Sequence, residues 1–259
     1  MKRMSDVVGK GQRRGSLWRV FALVAGLVLG ACASQPPYAG LGANELFDWA
    51  LEHYEEEEWE DATEAFERFI ASHPTHARRA EAQYLLARSF LEQGEHLTAV
   101  SEFDRFLQRW PVHALTPQAS LGVCEAYAAL SPIPQRDQTY TQRARDACAR
   151  TVSEFPNHEI TPEAVAVRDQ MTERLAEREY QVGRFYQRRD LHDSAILSFE
   201  RILEQYADTE WAPRALLEMY HSYQAIGWNQ EAEETREELL SLFPDSAEAR
   251  EVQSDRDGR

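Results

Sequence analysis

One pattern recurs five times in this chain and restricts it to a stack of paired helices. It reads Phe66-x-x-Phe69-Ile70-x-x-x-Pro74, Phe103-x-x-Phe106-Leu107-x-x-x-Pro111, Cys148-x-x-Thr151-Val152-x-x-x-Pro156, Phe199-x-x-Ile202-Leu203-x-x-x-Ala207 and Arg236-x-x-Leu239-Leu240-x-x-x-Pro244. An alanine stands four positions ahead of each: Ala62, Ala99, Ala144, Ala195 and Ala232. Steps of four, three, one and four put the small residue and the bulky pair on one helical stripe, and proline, once replaced by Ala207, marks where the helix stops.

A second helical pattern precedes each stripe: Leu46, Phe47, Ala50 and Tyr54; Tyr84, Leu86, Ala87 and Phe90; Leu121 and Gly122; Tyr180, Val182, Gly183 and Tyr186; Leu216, Met219, Tyr220 and Tyr223. Small residues near the middle (Ala50, Ala87, Gly122, Gly183) let neighbouring backbones approach, and Gly94 and Gly227 mark turns between paired helices. The units resemble the tetratricopeptide repeat, although Pro74 and Pro111 are 37 positions apart where that repeat takes about 34. The fold class is therefore all-α, a right-handed solenoid of about five helix-turn-helix units over residues 44–250. The N-terminal units span 44–156 and the C-terminal units 160–250. The third unit carries a polar insertion, Ser131 to Tyr140. A long helical pattern follows over 162–189, opened by Thr161 as a cap and Pro162 in the first turn. Residues 251–259 read as a polar, frayed tail.

The N-terminus reads as an address. Basic residues up to Arg19 lead into about ten apolar residues, Val20 to Leu29, too few to span a bilayer. Leu29-Gly30-Ala31-Cys32 follows and is similar to the bacterial lipobox, which makes residues 1–31 a signal peptide and Cys32 the lipidated first residue of the mature chain. Acyl chains gain about 0.8 kcal/mol per buried methylene, enough to hold a protein at a membrane without a spanning helix. Ala33 rather than Asp after the cysteine implies the outer membrane, periplasmic face. Residues 32–43, small and rich in Pro and Gly, form a flexible tether.

Six basic residues against Asp6 give the leader +5, so of the net charge of −16 the rest of the chain carries −21. Such a chain repels nucleic acid, which excludes a nucleic-acid partner, and favours a neutral or basic protein partner. The eight histidines show no His-Glu-x-x-His or Cys-x-x-Cys spacing, so neither a metal nor another cofactor is expected. Glu55 to Glu58 read as a solvated acidic edge. No phosphate loop or nucleophile elbow is present, and the chain is not expected to be an enzyme. Trp59, Trp110, Trp211 and Trp228, near repeat turns, are expected to clamp adjacent units. Cys124 and Cys148 fall in the paired helices of the third unit. They are either two small buried residues, Cys148 taking the slot of Phe66 and Phe103, or a disulfide permitted by an oxidising compartment.

From Arg174 onward the pieces look like one family. Arg174-Leu-Ala-Glu-Arg-Glu-Tyr180, Phe185-Tyr186, Ala195, Tyr206-Ala-Asp208-Thr209 and the Arg136-Asp137 pair in the third-unit insertion carry a resemblance to the BamD (YfiO or ComL) family of outer-membrane assembly lipoproteins, covering residues 29–250. Ala207 and a shortened insertion depart from the family pattern. The resemblance implies a scaffold that helps fold and insert β-barrel proteins. Its partners would be the periplasmic domains of the central, BamA-like barrel-assembly protein, other assembly lipoproteins and unfolded outer-membrane protein segments, with the membrane reached through the N-terminal lipid. An extended substrate segment would lie in the N-terminal groove at Phe47, Tyr54, Tyr84 and Arg88, and a folded partner would dock at Arg188, Arg189 and Arg201. The competing readings are another periplasmic repeat adaptor serving envelope or peptidoglycan enzymes, which often begins with a coiled coil and lacks a lipobox, and a lipid-anchored hydrolase.

Overall fold

A helix ends where its next residue must leave the α region, and five helices here end in the same conformation. His73, Trp110, Phe155, Tyr206 and Phe243 cap them at φ −126°, −130°, −128°, −140° and −129°. Four of these residues precede proline, whose ring pushes its predecessor out of the α region. Tyr206 precedes Ala207 and still adopts this geometry, so the turn does not depend on the proline.

The computed structural model describes residues 37–257. The leader, Cys32 and the tether up to residue 36 lie outside it, as do the side chains beyond residue 254. Residues 37–41 form a turn in a small unit of their own, and the second unit begins at Gly42. That unit holds eleven helices: α1 (Ala43–Glu55), α2 (Trp59–Ser72), α3 (Arg79–Glu92), α4 (His96–Arg109), α5 (Thr116–Ala129), α6 (Thr139–Glu154), α7 (Thr161–Gln187), α8 (His192–Gln205), α9 (Trp211–Ile226), α10 (Asn229–Leu242) and α11 (Ala247–Asp257). No strand occurs among the described residues. Each helix packs on its neighbours in sequence. In addition, each odd-numbered helix touches the next odd-numbered one, while even-numbered helices do not touch each other. The closer-set odd row is therefore the inner row of a solenoid of five helix pairs.

Bulky side chains of the even helices seat against small residues of the odd ones. Phe66, Phe103, Phe106 and Phe199 are wholly buried. A methyl group added at Gly122 of α5 would lie 2.4 Å from the Phe103 ring, and one at Gly183 of α7 2.4 Å from the Phe199 ring. These glycines make room for an aromatic ring rather than for a neighbouring backbone. Cys124 and Cys148 are joined as a disulfide between α5 and α6, their Cα atoms 4.9 Å apart, inside the same apolar cluster as Phe103 and Phe106.

The long α7 serves two units. Ala164 in its first half joins the third-unit core, and Leu175 and Ala176 in its second half join the core of the fourth. Thr161 is not its cap: Ile160 occupies that position, and the Thr161 hydroxyl donates to the Phe155 carbonyl, bridging the incoming chain. Nor are residues 251–257, read as part of a frayed tail, irregular: they continue the last helix. The helix α11 runs through residue 251, with Ala249 and Val252 buried against α9 and α10, and closes the apolar end of the stack.

Turns inside the pairs use a left-handed residue: Glu57 (φ 62°), Gly94 (φ 81°), Asp190 (φ 58°) and Gly227 (φ 80°). In each the next backbone N–H returns to a carbonyl five residues back, as in Glu58 to His53 and Leu191 to Tyr186. Between pairs, His76, His113 and His158 each lie two residues beyond a proline. Their Nδ1 accepts the backbone N–H of Arg78, Leu115 and Ile160 at 3.2, 3.1 and 3.3 Å. Three of the histidines thus staple the entry of the next helix.

Two predictions follow from this packing. Phe103→Ala is expected to cost about 3–5 kcal/mol, and hydrogen exchange should show units two and three losing protection before the fifth; uniform loss would contradict nearest-neighbour packing. Asp190→Gly removes a side chain from a left-handed position, so urea denaturation should show a gain of about 0.5–1 kcal/mol.

Candidate functional site

The inner row carries the half-buried polar groups of the N-terminal units. Tyr84 on α3 leans on Phe103 and Phe106, ring centroids 6.0 and 6.2 Å apart, and burial pushes its hydroxyl above the ordinary tyrosine value. One turn on, Arg88 donates to Glu125 of α5 and to Glu92, both at 2.7 Å. Burial pushes the Glu125 carboxyl upward; Arg88 opposes this, and Glu163 on α7 adds to it. Tyr54 on α1 packs edge-on against Trp59 at 5.2 Å and lies within electrostatic reach of Tyr84 and Arg88. A ladder of hydroxyl, guanidinium and carboxylate groups thus crosses α1, α3, α5 and α7. It presents hydrogen-bond donors and acceptors from four successive inner helices.

Phe47 is not part of that ladder. It is wholly buried, edge-on to Phe66 and Phe69 at 5.6 and 5.3 Å, with the Arg78 guanidinium 3.4 Å above its ring. It does not face the groove: Phe47 is turned to α2, on the buried side of α1 with Leu46 and Ala50. Trp211 packs on Tyr180 of the preceding unit, as a clamp does, whereas Trp59, Trp110 and Trp228 meet rings of their own units, Tyr54, Phe106 and Tyr223, and Trp228 stays half exposed.

In the C-terminal units the three expected arginines do not form one patch. Arg201 on α8 is paired with Glu179 at 2.5 Å. Arg189 lies 3.6 Å above the Phe185 ring and donates to the Phe185 carbonyl. Arg188 lines a cleft of about 830 Å³ between α7 and the third-unit insertion, with Arg178, Arg184, Tyr180, Phe185, Pro134 and Gln135 also on its wall. Gln135 reaches across to Gln181 at 2.8 Å, and Arg174 donates to Ser131, so the insertion is tied to α7. Arg184 and Tyr180 both bond Glu218 of α9. Arg178 and Arg184 were missed in the sequence, although Arg178, Gln181, Arg184 and Arg188 follow the helical period along one face.

One trio of possible metal ligands occurs among the described residues: His53, Glu58 and Asp61, their ligand atoms within 4.8 Å, at the turn from α1 to α2. Spacing along the chain does not reveal it, because the left-handed Glu57 turn brings it together. His53 bonds Glu58 and stacks on Trp49, and both carboxylates face solvent.

The family described as YfiO: Outer membrane lipoprotein matches residues 41–253. The chain belongs to it. The outer membrane protein assembly factor BamD of Rickettsia prowazekii is 25% identical over 226 residues, covering 86% of this chain and 90% of that protein. Those of Caulobacter vibrioides (32% over 109 residues, 42% of this chain and 36% of that protein) and Neisseria meningitidis serogroup A (26% over 199 residues, 77% and 64%) are also similar. Among solved structures, a TPR repeats protein from Bacteroides fragilis superposes with TM-score 0.50 at 12% identity, over 83% of this chain and 97% of that one, a likeness of fold. The YfiO match spans nearly the whole solenoid, from before α1 into α11, so the long α7 and the first part of α11 lie within the family's own extent.

Replacing Arg88 strands Glu125 among half-buried groups. Arg88→Ala is expected to lower unfolding free energy by about 1–2 kcal/mol, with part of that recovered when Glu125→Gln is added; additive losses in urea titrations would show that the pair is not coupled.

Proposed function

We propose that this protein is a lipid-anchored scaffold of the outer-membrane β-barrel assembly machinery, acting by binding proteins. The observation that carries this reading is the YfiO match over residues 41–253, joined to an assembly-factor relative aligned over 90% of its own length. No helix among the described residues is long and apolar enough to cross a membrane. Attachment through acyl chains on Cys32 supplies the anchor, at the periplasmic face of the outer membrane. The C-terminal units, with Arg188, Arg189 and Arg201, dock the periplasmic domains of the central barrel-assembly protein. Other assembly lipoproteins join the same scaffold. The N-terminal groove, with Tyr54, Tyr84 and Arg88, holds an extended segment of an unfolded barrel protein; Tyr84 and Arg88 stand half-buried there, able to bond a passing backbone while remaining ordered.

The reading is tested in cells and in membrane extracts. Cys32→Ala should abolish incorporation of a labelled fatty acid and release the protein from the membrane fraction. The lipidated chain should co-purify with the central barrel-assembly protein from detergent extracts, and Arg188→Glu with Arg189→Glu should reduce that recovery at least about tenfold, the scale of losing a charged contact. Co-purification with peptidoglycan enzymes instead would overturn the assembly role.

A further inference from the structure

The chain is strongly acidic, which on charge alone favours a neutral or basic partner, but the cleft between α7 and the insertion has the opposite character. Its lining includes three arginines and no carboxylate. Arg184 is engaged by Glu218, whereas Arg178 and Arg188 form no ion pair among the described residues. Asp137, fully solvent-exposed on the insertion, is the acid that interacts with Arg178 at longer range. Phe185 stands 43% exposed in the same wall, with Arg189 stacked on its ring to hold it outward. The site therefore combines two guanidinium groups without an ion pair, a partly exposed aromatic ring and a concave volume of about 830 Å³.

We infer that this cleft binds an extended acidic segment of a partner protein that carries an aromatic or aliphatic anchor. Guanidinium groups bind carboxylates in a two-pronged geometry, so two of them a helical turn or more apart fix acidic side chains on either side of the anchor. Phe185 and the aliphatic wall supplied by Pro134 and Val182 receive the apolar residue. A concave cleft fits a single strand of chain better than a flat lipid surface, and the acidic body around it repels anionic lipid while leaving an acidic segment one place to bind. This rests on the docking role proposed above for Arg188 and gives that role its chemistry.

The test uses the full chain purified in detergent and a fluorescein-labelled capped octapeptide in which Glu and Asp flank one Phe. Fluorescence anisotropy should show saturable binding that weakens about tenfold or more between low and high salt. The variant R178A/R188A should weaken it about tenfold while leaving the urea midpoint unchanged, and Phe185→Ala should remove the preference for the peptide with Phe over the one with Ala. Arg188→Glu is the second check: it should shift binding toward the same peptide with Lys in place of its acids. No saturable binding, equal binding of the Lys peptide by the unaltered chain, or unchanged affinity in R178A/R188A would overturn the inference. So would Arg178- and Phe185-dependent binding to phosphatidylglycerol vesicles that the peptide does not compete. Because the assay contains no assembly protein, its failure leaves the scaffold role standing, and failure of the co-purification leaves the peptide site standing.

Discussion

The stack depends on one kind of contact, a bulky side chain of an outer helix seated on a small residue of an inner one, which the third unit replaces by the Cys124–Cys148 bond. Phe103 over Gly122 and Phe199 over Gly183 are its tightest instances, with no room for even a methyl group between them. Because each seat joins only neighbouring helices, stability accumulates along the stack. The two ends are then exposed by construction. At the C-terminus α11 answers this by covering Leu216 and Leu239 with Ala249 and Val252.

The same geometry decides where function can be placed. The bulky stripe of each outer helix is buried in seats, while the inner row presents its polar edge along the curve. Tyr84, Arg88 and Glu125 are there because the α3 and α5 backbones approach closely enough for one guanidinium to bridge them. The cleft beside α7 has another origin. The insertion between α5 and α6 is anchored by Arg174 and Gln181 against the long helix, which sets Pro134 and Gln135 as the wall opposite Arg178 and Arg188. One linear scaffold thereby offers two chemically different surfaces.

Much of this was legible in the chain. The stripe of Ala, two bulky residues and Pro located every outer helix, because its helical period and its stop are both local properties. Gly94 and Gly227 betrayed two of the four left-handed turns; Glu57 and Asp190 hide the other two, since nothing in those residue types announces the conformation. Phe47 was misplaced because a helical stripe reveals which residues share a face but not which neighbour covers that face. Gln135 and Arg188 are 53 positions apart, and no period links an insertion to the helix it leans on. The family's extent along the chain was readable, whereas Arg178 and Arg184 needed the folded insertion to become a wall.

The bond between Cys124 and Cys148 makes one unit of the solenoid sensitive to its surroundings. It lies wholly buried and closes a loop spanning 24 positions, a constraint of about 3 kcal/mol on the unfolded chain. In a reducing compartment the two thiols still fit as small apolar residues, but that constraint is missing from the middle of the stack. The bond forms only where the surroundings oxidise thiols. Once closed inside the core, it is out of reach of small reductants until the unit itself opens.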